Sequence, residues 1–299
     1  MINLKIVKHF ILTLAMLIAV SGCASRGDNY DPVISGLLLT EPEPVSARSQ
    51  LAIAQYTNYL YRAQMTDTER ADLLLKRGFY YDAIGLASLA RMDYAEAIKL
   101  NPLLAEAHNS VGVHYIQAGM FMRAYESFDS SLEINPEYDY ALLNRGIALY
   151  YGGRSELAQS DTLAFLQNDE SDPFRVLWHF IIAQGVDQET ALQTLSTHRE
   201  KLPNDNWATS IVDFYLSRKS ESEVIADLLT DVSSQTQLNN RLCEAYFYLG
   251  KHFASEGNVS RAENYFKLSL STNVYDYAEH KYARIELTNL RQERRSRAQ

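Results

Sequence analysis

An all-α fold, a helical-hairpin solenoid with flanking N- and C-terminal helices, is predicted by three features of this 299-residue chain. Gly78, Gly112 and Gly146 recur every 34 residues inside apolar helical patterns, and Gly250 repeats the pattern later. Each is followed 12 residues on by an alanine: Ala90, Ala124, Ala158 and Ala262. Pro102 and Pro136, each after an asparagine, punctuate the chain at the same interval. Glycine inside a helix costs roughly 1 kcal/mol against alanine. Its periodic return therefore requires two helices packed too closely for a side chain, and a period of 34 is that of stacked helical hairpins.

The first 22 residues have another logic. Lys5 and Lys8 precede an apolar run from Phe10 to Val20, about half the length a bilayer span needs and laid out like a secretory signal. The run ends in Val20, Ser21, Gly22 and Cys23, which resembles the bacterial lipobox. That resemblance implies cleavage after Gly22 and lipidation of Cys23. Ala24 rather than aspartate at the next position implies the periplasmic face of the outer membrane. Residues 23–46, with Gly27, Pro32, Gly36, Pro42 and Pro44, read as a flexible tether. The folded domain is expected over residues 47–299.

A helix outside the repeat register is expected from Ala47 to Gln64, as a cap on the solenoid or an arm for a dimer. Thr66 and Glu69 have the spacing of a capping box and start the next helix. The unit at 71–104 carries Leu74, Gly78, Tyr81, Ala90, Tyr94, Ala97 and Pro102. The unit at 105–138 carries His108, Gly112, Tyr115, Ala124, Phe128, Ser131 and Pro136. These residues look like the tetratricopeptide pattern. The unit at 139–172 keeps Leu142, Gly146, Leu149 and Ala158, then departs, with Thr162 in place of the aromatic residue. Two irregular hairpins are expected over 173–232. The pattern returns over 243–276 through Tyr246, Gly250, Phe253, Ala262 and Phe266, before a final helix from about Tyr277 to Arg294.

Composition excludes several functions. The formal charge is −9, and residues 1–22 contain two lysines and no acid, so the processed chain is more acidic still and a nucleic-acid partner is disfavoured. Two cysteines, Cys23 and Cys243, cannot form a disulfide framework or a multi-thiolate metal site. No GxSxG, HExxH, GxxxxGK[ST] or CxxC signature occurs. His108 and His114, six apart, point to different helix faces. The expectation is a binding protein without catalytic residues, metal or cofactor.

Stacked hairpins use a concave surface lined by the first helix of each pair. In the tetratricopeptide frame that surface holds Phe79 in the first unit, Asn109, Val113 and Ile116 in the second, and Tyr140, Leu143, Ile147, Tyr150 and Tyr151 in the third, with Asp72 and Asp82 on an acidic edge. Tyr140, Tyr150 and Tyr151 are the first choice as partner-binding residues, because tyrosine supplies large contact area at low entropic cost. Where carboxylate-clamping tetratricopeptide domains place lysine and asparagine, this chain has Leu75 and Phe79, so a hydrophobic segment is the expected ligand.

The run Leu142 to Arg154, together with Asp172 to Arg175, Phe214 to Leu216 and Tyr248 to Lys251, resembles the NlpI family of gammaproteobacterial lipoproteins over most of the mature chain. The resemblance implies a homodimeric outer-membrane adaptor. Such an adaptor presents peptidoglycan endopeptidases to a periplasmic carboxy-terminal processing protease and gathers other cell-wall enzymes. A lipoprotein subunit of a machine assembling outer-membrane barrels or pili is the alternative.

Overall fold

The computed structural model describes residues 38–62 and 64–297, so the signal segment, Cys23 and most of the tether lie outside the described residues. Within that span the chain forms fourteen helices and no strand. They are α1 (Ala47–Arg62), α2 (Asp67–Ala83), α3 (Ala87–Leu100), α4 (Ala105–Gln117), α5 (Phe121–Ile134), α6 (Asp139–Tyr151) and α7 (Ser155–Gln167). After them come α8 (Pro173–Gln184), α9 (Gln188–Arg199), α10 (Thr209–Tyr215), α11 (Glu221–Leu228), α12 (Gln235–Ser255), α13 (Val259–Ser271) and α14 (Ala278–Arg297).

The three regular units are the antiparallel pairs α2/α3, α4/α5 and α6/α7, and α12/α13 is the restored one. The irregular stretch is two hairpins, α8/α9 and α10/α11. The predicted capping box is present, with Glu69 N donating to Thr66 Oγ1 and Thr66 N to Glu69 Oε2. A second one, Ser220 with Glu223, starts α11.

The periodic glycines are close-approach points. A Cβ on Gly78 would lie 2.4 Å from the Tyr94 ring, on Gly112 2.5 Å from Phe128, on Gly146 2.7 Å from Thr162 and on Gly250 2.7 Å from Phe266. Each of those partners stands 16 residues downstream, on the second helix of its own hairpin. Thr162 thus takes the aromatic place in the third unit, and its smaller volume changes what can pack behind it. A second glycine series, Gly85, Gly119, Gly153 and Gly257, makes the tight turn inside each hairpin at φ of +70° to +78°, where other residues are strained. Bidentate ion pairs, Arg77 to Asp93 and Arg145 to Asp161 with N–O distances of 2.7–2.8 Å, clasp the first and third hairpins.

Gly112→Ala tests this packing. A methyl group driven into Phe128 should cost about 1–3 kcal/mol, more than the roughly 1 kcal/mol that alanine returns as helix propensity. The urea midpoint should fall, and a rise would show that the two helices have room to spare.

Two features of the architecture go beyond stacked hairpins. The tether expected up to residue 46 is attached to the body sooner. Glu43 N donates to the Thr272 carbonyl at 2.8 Å, Asn239 Nδ2 donates to Glu43 Oε2 at 2.9 Å, and Thr40 Oγ1 donates to Asn239 Oδ1 at 2.7 Å. At the other end, α14 does not extend the array. It packs on α13 and α12 and reaches α4, so it lies along the concave surface. Its buried face, Glu279, Tyr282, Ala283, Glu286, Leu287 and Leu290, repeats at helical spacing. Trp178 of α8 meets Phe247 of α12 and Tyr282 of α14 at ring centroid distances of 5.4 and 5.7 Å, which ties the irregular middle to that closing helix.

Candidate protein-binding groove

The nine residues predicted to face a partner separate into three groups. Phe79, Asn109, Val113, Tyr140 and Leu143 line one cavity of about 620 Å³ at the N-terminal end of the groove, between α2, α4, α6 and the start of α14. Ile116 and Ile147 are 1% and 0% exposed and belong to the core, which corrects their assignment as partner contacts. Tyr150 and Tyr151 lie at the far end, beside α12 and α14.

At the far end, half-buried Tyr150 and Tyr151 line a second cavity of about 400 Å³ and are bonded to α12 and α14. Lys251 Nζ of α12 donates to Tyr150 Oη at 2.8 Å and to Glu286 Oε1 of α14 at 2.6 Å, and Tyr151 Oη donates to the same carboxylate oxygen at 2.8 Å. Lys251 and Glu286 side chains are only 7% and 9% exposed. Burial opposes the Lys251 ammonium, but Glu286 and Tyr150 outweigh it and hold its pKa above the usual lysine value. The Tyr151 hydroxyl is pushed well above the ordinary tyrosine range by burial and by Glu286. Two of the three first-choice tyrosines, Tyr150 and Tyr151, therefore bond to the chain's own α12 and α14, while Tyr140 stays exposed. The signal lay in the 279, 282, 286, 290 spacing of α14, whose polar members had no evident destination until α14 was seen lying over α6.

A polar chain runs along the wall of the N-terminal cavity. Tyr282 Oη donates to Asn144 Oδ1 at 3.0 Å, and Asn144 Nδ2 donates to Asn109 Oδ1 at 3.0 Å. Asn109 Nδ2 reaches the Tyr138 hydroxyl at 3.5 Å. Both asparagines are buried, so each polar atom requires a partner, and α14 supplies one through Tyr282. Burial, then Glu106, pushes the Tyr138 hydroxyl up to about 12.

The N-terminal cavity is open. Phe79 and Tyr140 are 42% and 55% exposed on opposite walls, unusual for large rings facing a concavity, while Leu143 and Val113 form apolar surface between them. Asp82 sits at the end of α2 and accepts hydrogen bonds from Tyr94 Oη at 3.0 Å and from His114 Nε2 at 3.1 Å. Lys281, Asp276 and Arg48 stand around the same cavity. Aromatic and aliphatic walls with a few fixed polar groups are the makings of a site for a protein segment. Among the described residues no three His, Cys, Asp or Glu side chains are grouped as a metal site would need, and no helix is long and apolar enough to cross a membrane.

No family model matches the chain. Among solved structures, it is similar to YrrB, a tetratricopeptide protein with an unusual peptide-binding site, at 13% identity over 82% of this chain and 100% of that one, with a TM-score of 0.42. A tetratricopeptide repeat protein from Parabacteroides merdae matches at 16% identity over 82% of this chain and 100% of that one, with a TM-score of 0.49. PilF of Pseudomonas aeruginosa matches at 16% identity over 76% and 99% of the two chains, with a TM-score of 0.43. These likenesses concern the fold alone.

Proposed function

We propose that this tetratricopeptide-type solenoid is a non-enzymatic adaptor, a lipoprotein held by Cys23 on the periplasmic face of the outer membrane. It brings peptidoglycan endopeptidases and other cell-wall enzymes to a periplasmic carboxy-terminal processing protease, and so regulates cell-wall growth and division. The observation that carries the adaptor reading is the open N-terminal cavity, with exposed Phe79 and Tyr140 facing it. The finer reading is supported by the lipobox at Val20 to Cys23 and by the NlpI-like runs. A homodimer is part of the same reading.

The mechanism is control of effective concentration: a scaffold that holds protease and substrate together makes their encounter local, with no new chemistry. Several acyl chains on one residue keep such a scaffold on its membrane, since each buried methylene contributes roughly 0.8 kcal/mol. The test is the lifetime of a cell-wall endopeptidase in cells. Loss of the chain should lengthen it severalfold, the wild-type chain should restore turnover, and a Phe79→Ala, Tyr140→Ala chain should not. Cys23→Ala should move the protein to the soluble periplasmic fraction. Unchanged endopeptidase turnover in the deletion strain would remove the finer reading.

A further inference from the structure

The N-terminal cavity holds a carboxylate that the fold leaves half used. Asp82 has 14% of its side-chain surface exposed, and both of its hydrogen bonds, from Tyr94 and His114, fall on Oδ2. Oδ1 bonds to no described residue, and Asp82 lines the cavity. The carboxylate stands in the last turn of α2, where the carbonyl end of the helix adds partial negative charge. Phe79, one turn earlier on α2, presents an exposed ring beside it. A carboxylate oxygen with aromatic surface next to it is complementary to one positive charge on an apolar stem. The same cavity is lined by Lys281, whose Nζ donates to the Asp276 carbonyl at 3.1 Å, and by the exposed Arg48 of α1. Those two cations disfavour a second basic group there, so the cavity matches a single cation and not a basic tract.

The rest of the wall sets what must accompany the charge. Val113, Leu143 and Tyr140 offer apolar surface on the far side of the cavity, and about 620 Å³ accommodates a few residues of peptide. Asn109 and Asn144 on the floor are buried, and each has amide hydrogen-bonding capacity beyond the bonds it makes to its neighbours, fitted to a peptide backbone.

We propose that this cavity binds a short extended segment of a partner protein in which one lysine or arginine side chain reaches Asp82 and a neighbouring apolar side chain packs against Val113, Tyr140 and Leu143. The proposal rests on the adaptor reading and deepens it by naming the chemistry of the captured segment.

Fluorescence polarisation on the purified mature chain tests this with acetylated, amidated hexapeptides carrying one leucine beside one lysine, arginine, glutamate or norleucine. The lysine and arginine peptides should bind at least tenfold more tightly than the other two. Asp82→Asn, which keeps the size and an acceptor for Tyr94, should remove that preference while leaving the circular dichroism spectrum and urea midpoint unchanged. Lys281→Gln should preserve it. Equal binding of all four peptides, or a preference that survives Asp82→Asn, overturns the proposal. So does equal binding of a leucine peptide with a free amino terminus and no basic side chain, which would assign the site to chain ends. Displacement of the lysine probe by a peptide copying residues 24–39 would assign the cavity to the chain's own tether and likewise overturn it. Endopeptidase turnover that depends on the chain but is indifferent to Asp82→Asn would leave the adaptor reading standing and remove this one. Lysine-dependent peptide binding without any effect of the chain on turnover would do the reverse.

Discussion

Lys251→Ala should destabilise the protein by about 3–5 kcal/mol, the cost of leaving one member of a buried ion pair without the other. Glu286 would keep the Tyr151 hydroxyl but lose the ammonium that neutralises it, inside a junction where both charged side chains are more than nine-tenths buried. The same change removes the bond that joins α12 to both Tyr150 and α14. Urea unfolding followed by circular dichroism measures the loss, and amide exchange should rise first along α14. The double variant Lys251→Met, Glu286→Leu separates charge from packing. It should recover most of the stability, because replacing both partners with apolar groups of similar volume is often neutral or better. A single variant that loses less than about 1 kcal/mol would mean that α14 is held by its apolar face alone.

Acid should weaken the fold through two buried histidines. The pKa of His179 is lowered to about 4, chiefly by burial and then by the neighbouring His198, and that of His280 to about 4, chiefly by burial. His179 Nδ1 meets Thr162 Oγ1 at 3.1 Å, and His280 Nε2 meets the Leu270 carbonyl at 3.2 Å, so both rings are built into helix junctions. A folded-state pKa below the unfolded value means that the neutral ring is favoured by folding. The stabilisation is complete above about pH 6.5 and is lost as the pH falls toward 4. A shift from 6.5 to about 4 corresponds to about 3 kcal/mol per histidine. Buried Glu279 and Glu244 act in the other direction, because burial raises their pKa values and protonation relieves them as the pH drops. The clean measurement is therefore a difference: His179→Gln or His280→Gln should each flatten the stability curve between pH 6.5 and 4 relative to the unaltered chain. Parallel curves would remove that histidine from the acid response.

The link between these predictions is α14. Tyr282, Glu286 and Glu279 are polar groups on the buried face of an otherwise polar helix, and each finds a partner on another helix: Asn144 on α6, and Lys251 and Tyr248 on α12. A solenoid without such a helix would present its whole concave face to partners. Here α14 lies along that face, leaving a recess near Phe79, Asp82 and Tyr140 and a smaller cavity beside Tyr150 and Tyr151. Of the groove positions assigned by register, Phe79, Asn109, Val113, Tyr140 and Leu143 converge on one cavity, whereas Ile116 and Ile147 belong to the core. Engagement was another matter, because Tyr150 and Tyr151 have the same register and are half-buried and bonded to Lys251 and Glu286.

Local physics accounts for what could be read from the chain. A glycine whose missing side chain admits Tyr94, Phe128 or Phe266, a capping box at Thr66 and an asparagine before a proline are signals spanning a few residues or one hairpin, and the period of 34 repeats them until they are unambiguous. The hairpins α2/α3, α4/α5, α6/α7 and α12/α13 follow from such short-range rules, although α12 begins at Gln235, ahead of the unit expected from residue 243. The destination of α14 does not, because its spacing shows only that one face is buried. The partners of that face lie 138 and 135 residues away in Asn144 and Tyr151. Burial of the Lys251 and Glu286 charges together is favourable only once both arrive at the same place, and no local pattern records that meeting. The three-dimensional packing thus decides which groove positions line the recess where Asp82 and Phe79 stand and which join the buried junction with α14.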